Sequence, residues 1–171
     1  MAGPSLRRAT ADDAPEVRRA TPEDAATIAA LAGELLAEIM AVTGQAHFDF
    51  DLAAATARLS AWLADGSYRV WLAGADTTGE GAQGFVAVTP TRAVYAGGEF
   101  GLVPECYVRP DARSRGVGHA LLDAVRAHGR EAGWSRLEVT TPPLPAFGRT
   151  LAFYEREGFA VAGGRKLRTP L

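Results

Sequence analysis

The sequence predicts an α/β fold in the loose sense that includes α+β schemes: a mixed sheet flanked by helices. Two observations carry this. The chain of 171 residues is 47% hydrophobic and 22% charged, enough to bury a sizeable single core. Its hydrophobic periodicity also switches repeatedly between a period of two and one of 3.6, in the order βααβββαβαβ.

Val17–Ala20 reads as a short strand. Thr21 is a good helix N-cap, with Pro22 at the first helical position and Asp24 completing a capping-box pattern. Ile28, Leu31, Leu35 and Ile39 form one apolar stripe, and Gly44 stops the helix. A second helix is marked by Leu52, Ala55, Leu59, Trp62 and Leu63 and ends at Asp65-Gly66. Three strands follow, Tyr68–Ala73, Gln83–Thr89 and Glu99–Val108, separated by glycine turns at Gly79-Glu80-Gly81 and Gly97-Gly98. Leu121, Leu122, Val125 and His128 share one face of a helix over Val117–Ala132. Arg136–Thr141 alternates as a strand, a short helix covers Phe147–Glu157, and Phe159–Val161 begins a last strand. Residues 1–15 read as a flexible extension containing a near-duplicate of Arg18–Ala25, and 16–171 as one domain.

Composition excludes several function classes. Basic and acidic residues number 18 and 20, so no general electrostatic case for nucleic acid arises. Arginine supplies all the basic residues but Lys166, a compositional bias without functional weight. A lone cysteine, Cys106, rules out intramolecular disulfides, and His47, His119 and His128 lack metal-ligand spacing, so no metal is expected. No apolar run approaches the roughly 20 residues of a membrane span. Arg7 and Arg8 precede no apolar stretch, so no secretory signal is expected. A soluble, cytoplasmic protein with no membrane partner is the expectation.

The chemically informative stretch is Glu105-Cys106-Tyr107-Val108-Arg109-Pro110-Asp111-Ala112-Arg113-Ser114-Arg115-Gly116-Val117-Gly118-His119. A strand feeds a short loop, and Arg115-Gly116-Val117-Gly118 opens a helix. Helix N-termini present N–H donors and a partial positive charge, which suits pyrophosphate. A P-loop needs a lysine that is absent, and a Rossmann fingerprint needs a glycine where Leu121 stands. Glu138 does lie twenty residues beyond Gly118, but the 53 residues left after Gly118 are too few for a doubly wound domain.

Arg113-x-x-Gly116-x-Gly118 resembles the acyl-CoA signature of the GNAT superfamily, the GCN5-related N-acetyltransferases. Leu151-Ala152-Phe153-Tyr154-Glu155-Arg156-Glu157-Gly158-Phe159 is similar to that family's second characteristic helix. The likeness runs from Val17 to about Val161, strongest from Glu105 to Phe159. It implies a GNAT fold whose mostly antiparallel sheet carries a bulge in the strand before the CoA-binding helix, and Pro104, out of place inside an ordinary interior strand, agrees. It implies acetyl-CoA as cosubstrate, backbone contacts from Cys106, Tyr107 and Val108 to pantetheine and acetyl, and pyrophosphate contacts from Ser114, Arg115, Gly116, Val117, Gly118 and His119, with Arg113 heading the motif.

The same resemblance implies direct attack of an amine on the thioester. Tyr154 matches the family tyrosine that protonates the departing thiolate; its ordinary pKa of ~10 suits an acid. Glu105 and Glu138 are the candidate bases, with Glu105 preferred. Cys106 and His128 read as packing residues, His119 as a backbone phosphate contact, and Trp62, Trp71 and Trp134 as core or capping bulk. The chain departs from the family at Ser114, often glycine, and at Phe147, where many members carry an asparagine that contacts the cofactor. Glu38, His47, Phe48, Asp49, Phe50 and Asp51 are expected near the acceptor, a small-molecule amine in preference to a protein tail. A catalytically silent acyl-CoA sensor is the rival reading; the oligomeric state is open, dimers being common among such folds.

Overall fold

The computed structural model describes residues 15–44, 49–162, 167 and 169. The extension expected over 1–15, apart from Pro15, and His47 and Phe48 lie outside the described residues. The chain divides into two compact units, Met1–Thr140 and Thr141–Leu171.

The first unit opens with β1 (Val17–Arg19), a 3-10 turn at Pro22–Asp24 and helix α1 (Ala25–Thr43). Thr21 N–H donates to Asp24 Oδ2 at 2.8 Å, the reciprocal half of the expected capping box. Asp24 also takes a bidentate pair from Arg18 at 2.8 and 2.6 Å, a partner that spacing alone did not reveal. That guanidinium holds the buried Asp24 carboxyl below its usual range. Helix α2 (Leu52–Asp65) starts at Asp51, whose side chain accepts from Ala54 N–H at 2.7 Å.

Strands β2 (Arg69–Ala73), β3 (Gly84–Ala93), β4 (Gly98–Val103), β5 (Cys106–Val108) and β6 (Leu137–Val139), with β1, form a six-stranded sheet in the order β1-β2-β3-β4-β6, β5 pairing β3. Every pairing is antiparallel except β4 with β6. Helix α3 (Val117–Glu131) connects β5 to β6. The sheet separates two cores. Val70, Leu72, Phe85, Ala87 and Tyr107 pack with Ile28 and Leu31 of α1 and Leu59 of α2. Val86, Val88 and Val103 pack with Val117, Leu121 and Val125 of α3.

Three sequence expectations need correction. Strand β3 runs past Thr89, through Pro90 to Ala93. Proline fits because β2 pairs only as far as Val88 and Gly101, opposite Pro90, turns its own N–H to Arg136 O, so no ladder bond is lost there. Phe159–Val161 forms no strand; an apolar triplet supplies the side chains of a strand but not a neighbour to pair with. An apolar run of span length does exist: Pro22–Thr43 has mean hydropathy 1.7 over its best window. Glu34 and Glu38 interrupt it, and both form ion pairs with arginines of the first unit, Arg109 at 2.7 Å and Arg113 at 2.6 Å.

In the second unit, helix α4 (Gly148–Arg156) ends at Gly158, whose φ of 84° only glycine adopts readily. Tyr154 is buried, with its ring 5.2 Å from Phe153 and 5.4 Å, edge-on, from Phe159.

Candidate active site

The single expected strand Glu99–Val108 is two strands joined by a bulge. Leu102 stands opposite Thr89, whereas Cys106 stands opposite Val86. Between these pairs β3 has two residues and its partner has three. Ala87 N–H donates to Glu105 O at 2.9 Å, so the extra residue is Pro104, with Val103, across from Val88. Proline has no N–H to lose from the ladder, and its side is exposed.

The bulge changes what the strand edge presents. Below it, β4 is paired on both sides, by β3 and by β6. Above it, β5 pairs with β3 and, among the described residues, with no second strand. The flanking bonds Ala87 N to Glu105 O and Arg109 N to Gln83 O phase this ladder. They place Tyr107 N–H toward β3 and the N–H groups of Cys106 and Val108 on the outer edge. The three expected pantetheine contacts therefore divide: the N–H groups of Cys106 and Val108 face the outer edge, and Tyr107 puts its ring in the α1/α2 core. Burial, followed by the Glu34 and Glu38 carboxylates, pushes the Tyr107 hydroxyl above its ordinary pKa, so it stays protonated at neutral pH. Gly84 faces Val108, and a Cβ there would overlap Tyr107 O; the close approach of β5 needs this glycine.

Ion pairs hold β5 where a strand does not. Arg109 grips Glu34 through Nε at 3.0 Å and Nη2 at 2.7 Å, and its Nη1 donates to Ala82 O at 2.9 Å. Arg113 Nε donates to Val108 O at 2.8 Å and Nη2 to Glu38 at 2.6 Å. Arg113 thus ties α1 to the β5 edge; its side chain faces Glu38 and Val108 O, and Glu38, expected near the acceptor, is its partner. Of the other expected acceptor residues, Asp51 caps α2 and Phe50 packs beside Gly33.

The loop after β5 has the backbone the motif calls for. Ser114, at a position often glycine in the family, has φ 61°, and Gly116 has φ 83°. A serine in the left-handed region costs about 1 kcal/mol. The first helical bond of α3 runs from Ala120 N–H to Gly116 O at 2.9 Å, so Val117 and Gly118 N–H have no intrahelical acceptor and point out of the helix start. A Cβ on Gly116 would meet nothing within 4 Å, so this end is open to a ligand. Arg115 is exposed beside it. His119 turns its ring along the helix to Asp123, 3.1 Å away.

The candidate bases lie on the same sheet face, that of α1 and α2. Glu105 accepts a hydrogen bond from the Tyr68 hydroxyl. Glu138 is bound by Arg136 Nε at 2.7 Å, and that guanidinium stacks 4.4 Å from the Phe100 ring. His128 lies between Trp71 and Trp134, ring centroids at 5.3 and 5.1 Å, as a packing residue should. Trp62, expected as core or capping bulk, is 40% exposed. Tyr68 and Gly84 are the residues sequence reading passed over. Gly84 had a signal, a glycine opening an apolar strand; Tyr68 had none beyond its place at a strand start. Among the described residues no group of three His, Cys, Asp or Glu side chains is arranged to hold a metal.

Comparison with known proteins agrees with this geometry. An integron cassette protein from the mobile metagenome of Cole Harbour Salt Marsh is 28% identical, with a TM-score of 0.72 over 91% of this chain and 90% of that one. A predicted acetyltransferase of Clostridium acetobutylicum, solved with acetyl-CoA, is 17% identical with a TM-score of 0.71 over 91% and 96%. An aminoglycoside acetyltransferase from an uncultured soil metagenomic sample is 17% identical with a TM-score of 0.71 over 94% and 98%. A search of curated proteins finds no match. The model of the acetyltransferase (GNAT) domain matches residues 66–161, which span the bulge, the α3 N-terminus and α4, and the chain belongs to that family.

Proposed function

We propose that this chain is an acetyl-CoA-dependent N-acetyltransferase that transfers acetyl directly to a primary amine of a small molecule. One observation carries the reading: the bulge at Pro104 opens the β5 edge where the strand leads into the N-terminus of α3. Pantetheine is to lie along β5 and pyrophosphate on the backbone from Ser114 to His119. The Cys106 and Val108 N–H groups face the side on which the thioester carbonyl would lie, and they would stabilise its oxygen as charge develops.

In this scheme the neutral amine nitrogen attacks the carbonyl carbon, giving a tetrahedral intermediate. The C–S bond then breaks, the amine proton passes to Glu105 directly or through water, and Tyr154 protonates the departing thiolate. Glu105 is favoured over Glu138 because it immediately precedes β5, whereas Glu138 lies on β6.

The test is free-thiol release from acetyl-CoA with a panel holding spermidine, an aminoglycoside, amino acids and an N-terminal alanine peptide. Turnover with a small amine supports the reading; turnover with the peptide alone moves the acceptor to proteins, and none with any amine favours a silent acyl-CoA-binding module. In the active pair Tyr154→Phe is to lower kcat more than it raises KM for acetyl-CoA, and Glu105→Gln is to remove the basic-group limb of the pH–rate profile that Glu138→Gln leaves in place.

A further inference from the structure

We propose that Tyr68 is the positioning residue for the base: its hydroxyl fixes the Glu105 carboxylate at the mouth of the bulge. The inference rests on Glu105 being that base, but its geometry stands apart from any family motif. Tyr68 immediately precedes β2, two strands from Glu105, with β3 between them. Strand alternation puts Tyr68, Val70 and Leu72 on the α1/α2 side of the sheet, the side of Tyr107 and therefore of Glu105.

The intervening β3 residue is Ala87, paired to Val70 on one side and bonded to Glu105 O on the other. Its methyl group leaves room for a phenol to reach across the strand, and the Tyr68 hydroxyl donates to Glu105 Oε2. The ring is braced from α2. Trp62 lies 5.6 Å away at 41°, and Tyr68 N–H bonds Trp62 O at 3.3 Å, so the helix end and the phenol are fixed together.

A flexible glutamate after a bulge samples several rotamers, whereas a base must stand within hydrogen-bond reach of one proton. The donor on Oε2 orients the carboxylate. It also favours the ionised form, which alone can take the proton.

The test needs no acceptor. Full-length protein labelled with 13C at glutamate carboxyls is titrated by NMR, with Glu105→Gln identifying the Glu105 resonance. Tyr68→Phe keeps the ring against Trp62 and removes only the donor. Its Glu105 midpoint is expected about one pH unit above wild type, by loss of a hydrogen bond to the charged form. Tyr68→Leu, if folded, is to give the same shift. A midpoint unmoved in Tyr68→Phe overturns the assignment of Tyr68, whatever turnover shows. A pH–rate limb that survives Glu105→Gln overturns the separate reading of Glu105 as base.

Discussion

Strands β4 and β5 are consecutive pieces of one extended segment, six and three residues long, yet they do opposite work. β4 is hydrogen-bonded on both edges and packs Val103 and Phe100 into the two sides of the sheet. β5 is bonded on one edge and held on the other side of the chain by arginines reaching to Glu34 and Glu38. Sheet pairing stabilises the first piece, and the interruption of pairing leaves the second, among the described residues, with one edge that no second strand covers. Pro104 and Glu105 separate them.

That contrast is broken most directly by deleting Pro104. Val103 faces α3 and Glu105 faces α1 and α2, so removing the residue between them restores ordinary alternation without flipping any side chain. The deletion variant is to fold, with wild-type circular dichroism, and to lose acetyl-CoA binding by calorimetry. Binding at wild-type affinity would mean that the bulge does not make the site.

The opposite change strikes β4. A Cβ on Gly101 would lie 2.5 Å from Trp134 and 2.6 Å from Leu137. Gly101→Val is to cost about 2–3 kcal/mol in urea unfolding by overpacking, with acetyl-CoA affinity retained by the folded protein. Glu38→Gln acts on the tether of β5. The pair is partly exposed, so stability is to fall by no more than about 1 kcal/mol while acetyl-CoA affinity drops severalfold.

The smallest effect concerns His128, which lies between Trp71 of β2 and Trp134. Burial first, then Arg69 and Arg19, lowers its pKa below the ordinary value. The unfolded chain thus binds the proton more readily, and the stability contributed above about pH 6.5 is lost as pH falls through the folded pKa. Urea midpoints measured on either side of that range are to reveal a loss of stability toward acid that disappears in His128→Phe.

Much of this arrangement was legible before any coordinates. Periodicity located α1, α2, α3 and the strands that pair on both edges, because those segments bury a face and must repeat with it. Pro104 announced the bulge, and Gly116 the helix start. Ser114 in the left-handed region shows that the family's glycine preference at that loop reflects a backbone angle, which serine adopts at a cost. Long-range side-chain partners were not legible. Nothing local pairs Glu34 with Arg109, Glu38 with Arg113 or Tyr68 with Glu105, since each contact is created by the sheet order and the seating of α1 on it. The end of the chain failed for a related reason: Phe159–Val161 has strand composition, but pairing is a tertiary fact.

The central claim is that the β5 edge and the α3 N-terminus bind acetyl-CoA. Thermal unfolding with acetyl-CoA, beside CoA, ATP and NAD, tests it most directly. At about 100 times its Kd a ligand stabilises by ~2.7 kcal/mol, and at about 2–4 °C per kcal/mol for this size Tm is to rise by roughly 5–10 °C. The account predicts that rise with acetyl-CoA and none with NAD; an unchanged Tm at saturating acetyl-CoA would contradict it.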